Sequence, residues 1–144
     1  MKWVTREHVH VDRVACPWLI KKFVDPDAEF LFVPPAEVMN VAQHQGAIPY
    51  DARGQAELDH QEGRCSFESI IKKYELTDPV LHELAKIVHA ADVAADRNTA
   101  PEATGLEAIA RGFGLICVND YESLEKQFPV YDALYAYCRS KIGQ

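Results

Sequence analysis

The sequence predicts an α+β fold, in which a short N-terminal βαβ-like sheet of two or three strands is followed by a mostly helical layer of four helices. Three observations carry this expectation. Two runs of β-type residues, Lys2–Arg6 and Glu29–Val33, flank an apolar segment that stops at Asp25-Pro26. Beyond Cys65 the apolar positions change to helical spacing. No repeat, linker or low-complexity stretch interrupts the 144 residues, so a single domain over 1–144 is expected.

The first strand is marked by Trp3, Val4 and Thr5. The next helix has two candidate starts: Asp12 as N-cap, or Cys16 in that role with Pro17 at the first helical position. Trp18, Leu19, Ile20 and Phe23 form its buried side. Strand, helix and strand within residues 2–33 make a βαβ-like opening, for which a parallel pair is possible. Pro34-Pro35 closes the second strand. A short helix from Pro35 to Gln45 then ends at Gly46, followed by a short strand at Ile48–Tyr50 and a turn at Asp51–Gly54. Ser66 can cap a helix reaching Tyr74, with Phe67, Ile70, Ile71 and Tyr74 on one side. Thr77-Asp78-Pro79 starts a helix reaching Ala95, and Pro101 opens another that fades at Gly112 and Gly114. Asn119 with Glu122 forms an Asn version of a capping box. The last helix carries Leu124, Phe128, Tyr131, Tyr135, Cys138 and Ile142 at steps of four and three, and Pro129 inside that stripe predicts a kink or a restart.

Composition narrows the function classes. A net charge of −7 and a pI near 5.3 argue against a nucleic-acid surface, which needs a basic stripe. No apolar run approaches the roughly 18 residues of a membrane span, and the N-terminus lacks the apolar core of a leader. The four cysteines, at 16, 65, 117 and 138, form no C-x-x-C pair and so neither a zinc knuckle nor a disulfide framework. A cytoplasmic protein with reduced thiols is expected. Nucleotide-loop, hydrolase-elbow and zincin motifs are absent.

Several polar groups are out of place. With Leu81 at 0° and roughly 100° per residue, Val80, Leu84, Ile87, Val88 and Ala91 define an apolar arc. Asp92 falls inside it at about 20°, and His89 lies at its edge at about 80°. A buried carboxylate costs several kcal/mol unless paired or bound to metal. Asp92 therefore needs a partner: an arginine, water at a frayed helix end, or a cation shared with His89. The Asp59–Glu68 segment adds His60 and Glu68. Together His60, Glu68, His89 and Asp92 offer two nitrogens and two oxygens, a set suited to a divalent transition metal (Zn, Fe or Mn) over Ca or Mg. Arg64 and Cys65, beside a helix N-terminus, are candidate anion contacts, and core packing is the simpler role for the thiol.

The segment His8–Ile20 is the densest in reactive groups. His8 and His10 alternate along extended chain and so face one side. Arg13, with Asp12 beside it and the N–H groups of the following helix start, can hold an anion. Cys16 is a candidate thiolate with His10 as its base, and capping by Asp12 and core packing by Cys16 are the plainer alternatives.

The runs His10–Ile20, Asp25–Pro34, Gly63–Glu68 with His60, Ile87–Asp92, Pro101–Gly105 and Tyr131–Tyr135 resemble the C-terminal domain of the chromate-resistance family ChrB, in the same order and over nearly the whole chain. The resemblance implies an association with chromate export, in which the full-length protein is a chromate-responsive regulator. It also implies that this chain carries only the C-terminal module, without the N-terminal region to which DNA binding is most naturally assigned. The function expected is a metal-binding domain that responds to chromate or a related oxyanion. The alternatives are a small metal-dependent enzyme of hydrolase or lyase type acting on a small anionic substrate, or a structural domain whose polar cluster is only a hydrogen-bond network. The partner expected is a small anion or small molecule, not nucleic acid or membrane, and a homodimer is compatible with this.

Overall fold

The structure is a computed structural model that describes residues 1–52 and 54–143. Its centre is β1 (Lys2–Arg6), flanked by β2 (Glu29–Val33) and β3 (Ile48–Pro49) in the order β2-β1-β3, with both pairings parallel. Lys2 pairs with Glu29 and Arg6 with Val33, while Trp3 and Val4 meet Ile48 and Pro49. Alternation along β1 sends successive side chains to opposite faces. Trp3 joins the main core, whereas Val4 packs with Val38, Ala47, Ala52 and Ala56 under α2 (Val38–Gln45). The third strand is shorter than the Ile48–Tyr50 expected, and Tyr50 instead makes an isolated parallel bridge with Leu58. The turn expected at Asp51–Gly54 includes Arg53, which lies outside the described residues.

The crossover helix α1 spans Val11–Leu19. Neither expected start is its cap: His10 holds the N-cap position, and Asp12 is the second helical residue, its side chain engaged elsewhere. Pro17 is carried inside the helix, which then widens into a π-helical turn over Ile20–Val24, closed by Asp25 N–H on the Ile20 carbonyl at 2.7 Å. The helical layer consists of α3 (Ser66–Lys73), α4 (Pro79–Asp92), α5 (Ala103–Ile116) and α6 (Asp120–Lys141). Thus the α+β class and the four-helix layer are as the patterning predicts.

The boundaries differ where side chains have other work. Cys65 is the N-cap of α3, because the Ser66 hydroxyl donates to Asp51 Oδ1 at 2.9 Å. α4 stops at Asp92, and a 3-10 segment follows over Ala94–Thr99. α5 continues through Gly112 and Gly114 to Ile116. α6 runs through Pro129 without a restart, with Asn119 Oδ1 accepting from Glu122 N–H at 2.9 Å as its cap.

Trp18 locks α1 to α6. Its indole N–H donates to Asp132 Oδ1 at 2.9 Å, and its ring lies about 6 Å from those of Phe23, Tyr131 and Tyr135. No helix among the described residues is long and apolar enough to cross a membrane. Replacing a buried indole by a methyl group removes its transfer energy and leaves a cavity. Trp18→Ala should therefore lower the unfolding free energy by about 3–5 kcal/mol, read from the midpoint of a urea titration.

Candidate functional site

The site is built around a buried carboxylate. Asp12 is 1% exposed, and its two oxygens accept the backbone N–H groups of Ser66 (2.7 Å) and Phe67 (3.1 Å). These are orphan donors at the start of α3, so a side chain from α1 caps a different helix. Cys65 N–H is taken by Glu68 Oε1 at 3.0 Å, the reciprocal half of a capping box. Asp12 Oδ2 also lies 3.4 Å from Nε2 of His60, and Cys16 Sγ stands 3.5 Å from Oδ1.

A second carboxylate, Asp51, follows β3 in a left-handed conformation (φ +45°) that Asp tolerates better than most residues. Arg6 holds it twice: Nε donates to its carbonyl at 2.9 Å and Nη2 to Oδ2 at 3.3 Å. Arg13 Nε is 3.7 Å from the same oxygen, and His60 Nε2 is 3.8 Å from Oδ1. The loop that carries His60 is tied internally by buried Asp59, which accepts from Ala52 and Ala56 N–H. Asp92, at the end of α4, meets His60 Nε2 at 2.9 Å. Its partner is thus an imidazole, neither an arginine nor open solvent.

These groups open into a cavity of about 330 Å³. One wall carries Asp12, Asp51, His60 and Asp92, and four arginines face the same space: Arg6, Arg13, Arg97 and Arg111. Arg6 ends β1 and Asp51 follows the neighbouring strand β3, while β2 lies on the far side of β1. The cavity therefore sits at the carboxyl ends of parallel strands where the chain's direction of travel reverses, the usual place for a ligand in such sheets. His10 lines it as well.

Electrostatics divides the two histidines. His60 faces three carboxylates, and hydrogen bonding to Asp12 and then Asp92 raises its pKa to about 10. Burial pushes Asp12 up to about 7. His10 goes the other way: burial, then the charges of Arg13 and Arg111, lower its pKa and favour neutral imidazole.

The candidate metal ligands do not all converge. His60 and Asp92 join Asp12 and Asp51, while Glu68 and His89 form a second cluster with Cys65. His8 and His10 both lie toward solvent with buried Val9 between them, and both line a second cavity beside Asp120. His8 has φ +64°, its side chain is 88% exposed, and its N–H is held by Asp120 Oδ2 at 3.0 Å, while His10 also lines the main cavity. A thiolate at Cys16 with His10 as base does not fit the surroundings. The thiol is fully buried, beside anionic Asp12 rather than an imidazole, and burial pushes its pKa well up. Cys65 is likewise buried and shifted upward. Arg64 does not line the main cavity and pairs with Glu62 at 3.3 Å, beside Lys72 and Lys73. Arg13 and Asp12 do line the cavity.

Arg6, Arg97, Arg111, Glu107 and the hub role of Asp51 have no sequence signal strong enough to find them. Arg111 and Glu107 stand four apart on α5 and read as an ordinary surface pair. Arg6 reads as the polar end of a strand.

The family described as "ChrB, C-terminal domain" matches residues 3–138. The chain belongs to this family. Protein ChrB of Cupriavidus metallidurans (strain CH34) is 36% identical over 141 residues, covering 96% of this chain and 41% of that protein. The chain thus spans about two fifths of the length of this ChrB relative. No solved structure matches it. Membership of the ChrB family agrees with the resemblance that the signature runs carry.

Two outcomes follow from the geometry. Asp12→Ala leaves two buried N–H groups of α3 without a partner and should cost about 2–5 kcal/mol in denaturant unfolding. In metal-free protein, His60 takes up its proton more tightly when folded than when unfolded. Its stabilisation is full below pH 6.5 and is lost as pH rises through about 10. The melting temperature in chelator should fall across that window, and His60→Gln should flatten the fall.

Proposed function

We propose that this domain binds a tetrahedral oxyanion of the chromate class in the arginine-lined cavity, together with a divalent metal at the corner made by Asp12, Asp51 and His60, with Asp92 alongside. The single observation that carries the reading is the juxtaposition of that corner with four arginines in one cavity of about 330 Å³. One donor atom from each of Asp12, Asp51 and His60 lies within 4.8 Å of the others. Oxygen and imidazole donors suit Mn, Fe or Zn.

Charge supports the pairing of the two ligands. Four arginines oppose Asp12, Asp51, Asp92 and Glu107, so these side chains cancel. A divalent cation at the corner displaces the proton from His60 and leaves two positive charges, which a dianion neutralises. Without the cation, Arg6 and Arg13 are largely spent on Asp51 and Arg111 on Glu107. Arginine forks match the oxygens of such an anion better than ammonium groups do.

The walls come from separate parts of the chain: Arg6 and Arg13 from β1 and α1, Arg97 and Arg111 from the 3-10 segment and α5. An anion contacting both draws them together, and that differential contact is the means of response. A second reading, a small metal-dependent enzyme acting on an anionic substrate, is favoured by His10, whose neutral imidazole faces the same cavity as an available base.

Isothermal titration with chromate and with sulfate, with and without Mn, Fe or Zn, tests the proposal. Both dianions should bind, more tightly with metal. Arg111→Ala, at an exposed position that folding does not need, should weaken binding about 10–100-fold, as should Arg13→Ala. Absence of binding by either anion in every metal condition would falsify it.

A further inference from the structure

A second cluster gathers at the first turn of α3 and uses different chemistry. One donor atom each of Cys65, Glu68 and His89 lies within 4.8 Å of the other two. Glu68 Oε1 stands 2.6 Å from Nδ1 of His89, and the other ring nitrogen, Nε2, is 2.6 Å from Asp96 Oδ2. Cys65 is fully buried and the His89 side chain is 17% exposed.

We propose that Cys65 Sγ, Glu68 Oε1 and His89 Nδ1 bind a zinc-like divalent cation, a thiolate site separate from the oxygen-rich corner at Asp12. Sulfur, nitrogen and oxygen from three residues, with a fourth position for water, is a donor set that zinc accepts and that Mg or Ca does not. Ligands of a tetrahedral zinc stand roughly 3–4 Å apart, and all three donors lie within 4.8 Å of one another.

The independent observation is Asp96. A ligating histidine is usually oriented by a carboxylate on its far nitrogen, and Asp96 occupies that place on Nε2, leaving Nδ1 toward Cys65 and Glu68. Helix geometry brings the other two ligands to one spot. Cys65 is the N-cap and Glu68 the third helical residue, so their side chains share a face of α3, and His89 projects from α4 packed beside it. On binding, the Sγ proton and the Nδ1 proton leave to solvent, while Nε2 keeps its proton and donates to Asp96.

Both clusters meet at the first turn of α3. Ser66 and Phe67 N–H hold Asp12, and Cys65 with Glu68 provides ligands at the same turn. Metal at the thiolate site thus fixes the turn that positions Asp12. The proposal stands independently of oxyanion binding.

Cobalt(II) titration of the metal-free, reduced protein decides it, because thiolate bound to cobalt gives a charge-transfer absorption in the near ultraviolet that oxygen and nitrogen ligands do not. The expected result is a band that saturates at one thiolate-bound cobalt per chain, is displaced by zinc, and survives in His60→Gln and Arg111→Ala. It should vanish in Cys65→Ser and shift in His89→Gln, whose half-buried position tolerates the change. No band in the wild-type protein overturns the proposal. A band that persists in Cys65→Ser also overturns it, by assigning the metal to another thiol. If oxyanion binding fails while the band behaves as expected, only the oxyanion reading is lost.

Discussion

The carboxylate of Asp12 is the constraint on which the rest depends. It is buried, it comes from the crossover helix α1, and it satisfies two orphan N–H groups of α3, more than fifty residues later in the chain. Burial of a charge is costly unless such bonds are made, so the docking of α1 against α3 is energetically coupled through this one side chain. Cys16 and His60 take their places around the same group. Both the sheet's crossover and the wall of the cavity are thereby referred to one side chain.

The cavity concentrates charge in a chain that is acidic overall. A net charge of −7 disfavours anions at a distance, yet four arginines converge at the carboxyl ends of β1 and β3. Their position is set by bonds to the protein itself: Arg6 to the carbonyl and carboxylate of Asp51, Arg97 to the Ala90 carbonyl at 2.8 Å, Arg111 to Glu107. Such prior pairing lowers the entropic cost of presenting guanidinium groups and makes the site sensitive to whatever neutralises the carboxylates. This is the physical link between cation and anion in the reading offered for this member of the ChrB family.

Cysteine placement separates two kinds of chemistry. Cys16 is enclosed with Asp12 and lacks both access and a basic neighbour. Cys65 is enclosed too, but beside an imidazole and a carboxylate aimed at one point. A buried thiol is inert as a nucleophile, whereas among metal donors it has the surroundings of a ligand, the role we propose for Cys65. In that proposal two residues of the same type and burial differ in role through their neighbours alone.

The sequence by itself determined the architecture. Period-two and helical patterning, with Asp25-Pro26, Asp78-Pro79 and Asn119 as punctuation, mark the strands and the four-helix layer, because local propensity and amphipathicity do not need distant partners. The angular misfit of Asp92 also marks it as a carboxylate in need of a partner. Which partner it took was decided only in three dimensions, where His60 arrives from a loop held by Asp59. The same holds for the division of His60 and Asp92 from Glu68 and His89, and for the convergence of Arg6, Arg13, Arg97 and Arg111. The arginines come from β1, α1, the 3-10 segment and α5 and carry no shared local signal. Their meeting depends on the β2-β1-β3 strand order and on Asp12 capping a helix to which it does not belong, and neither is encoded in any one stretch.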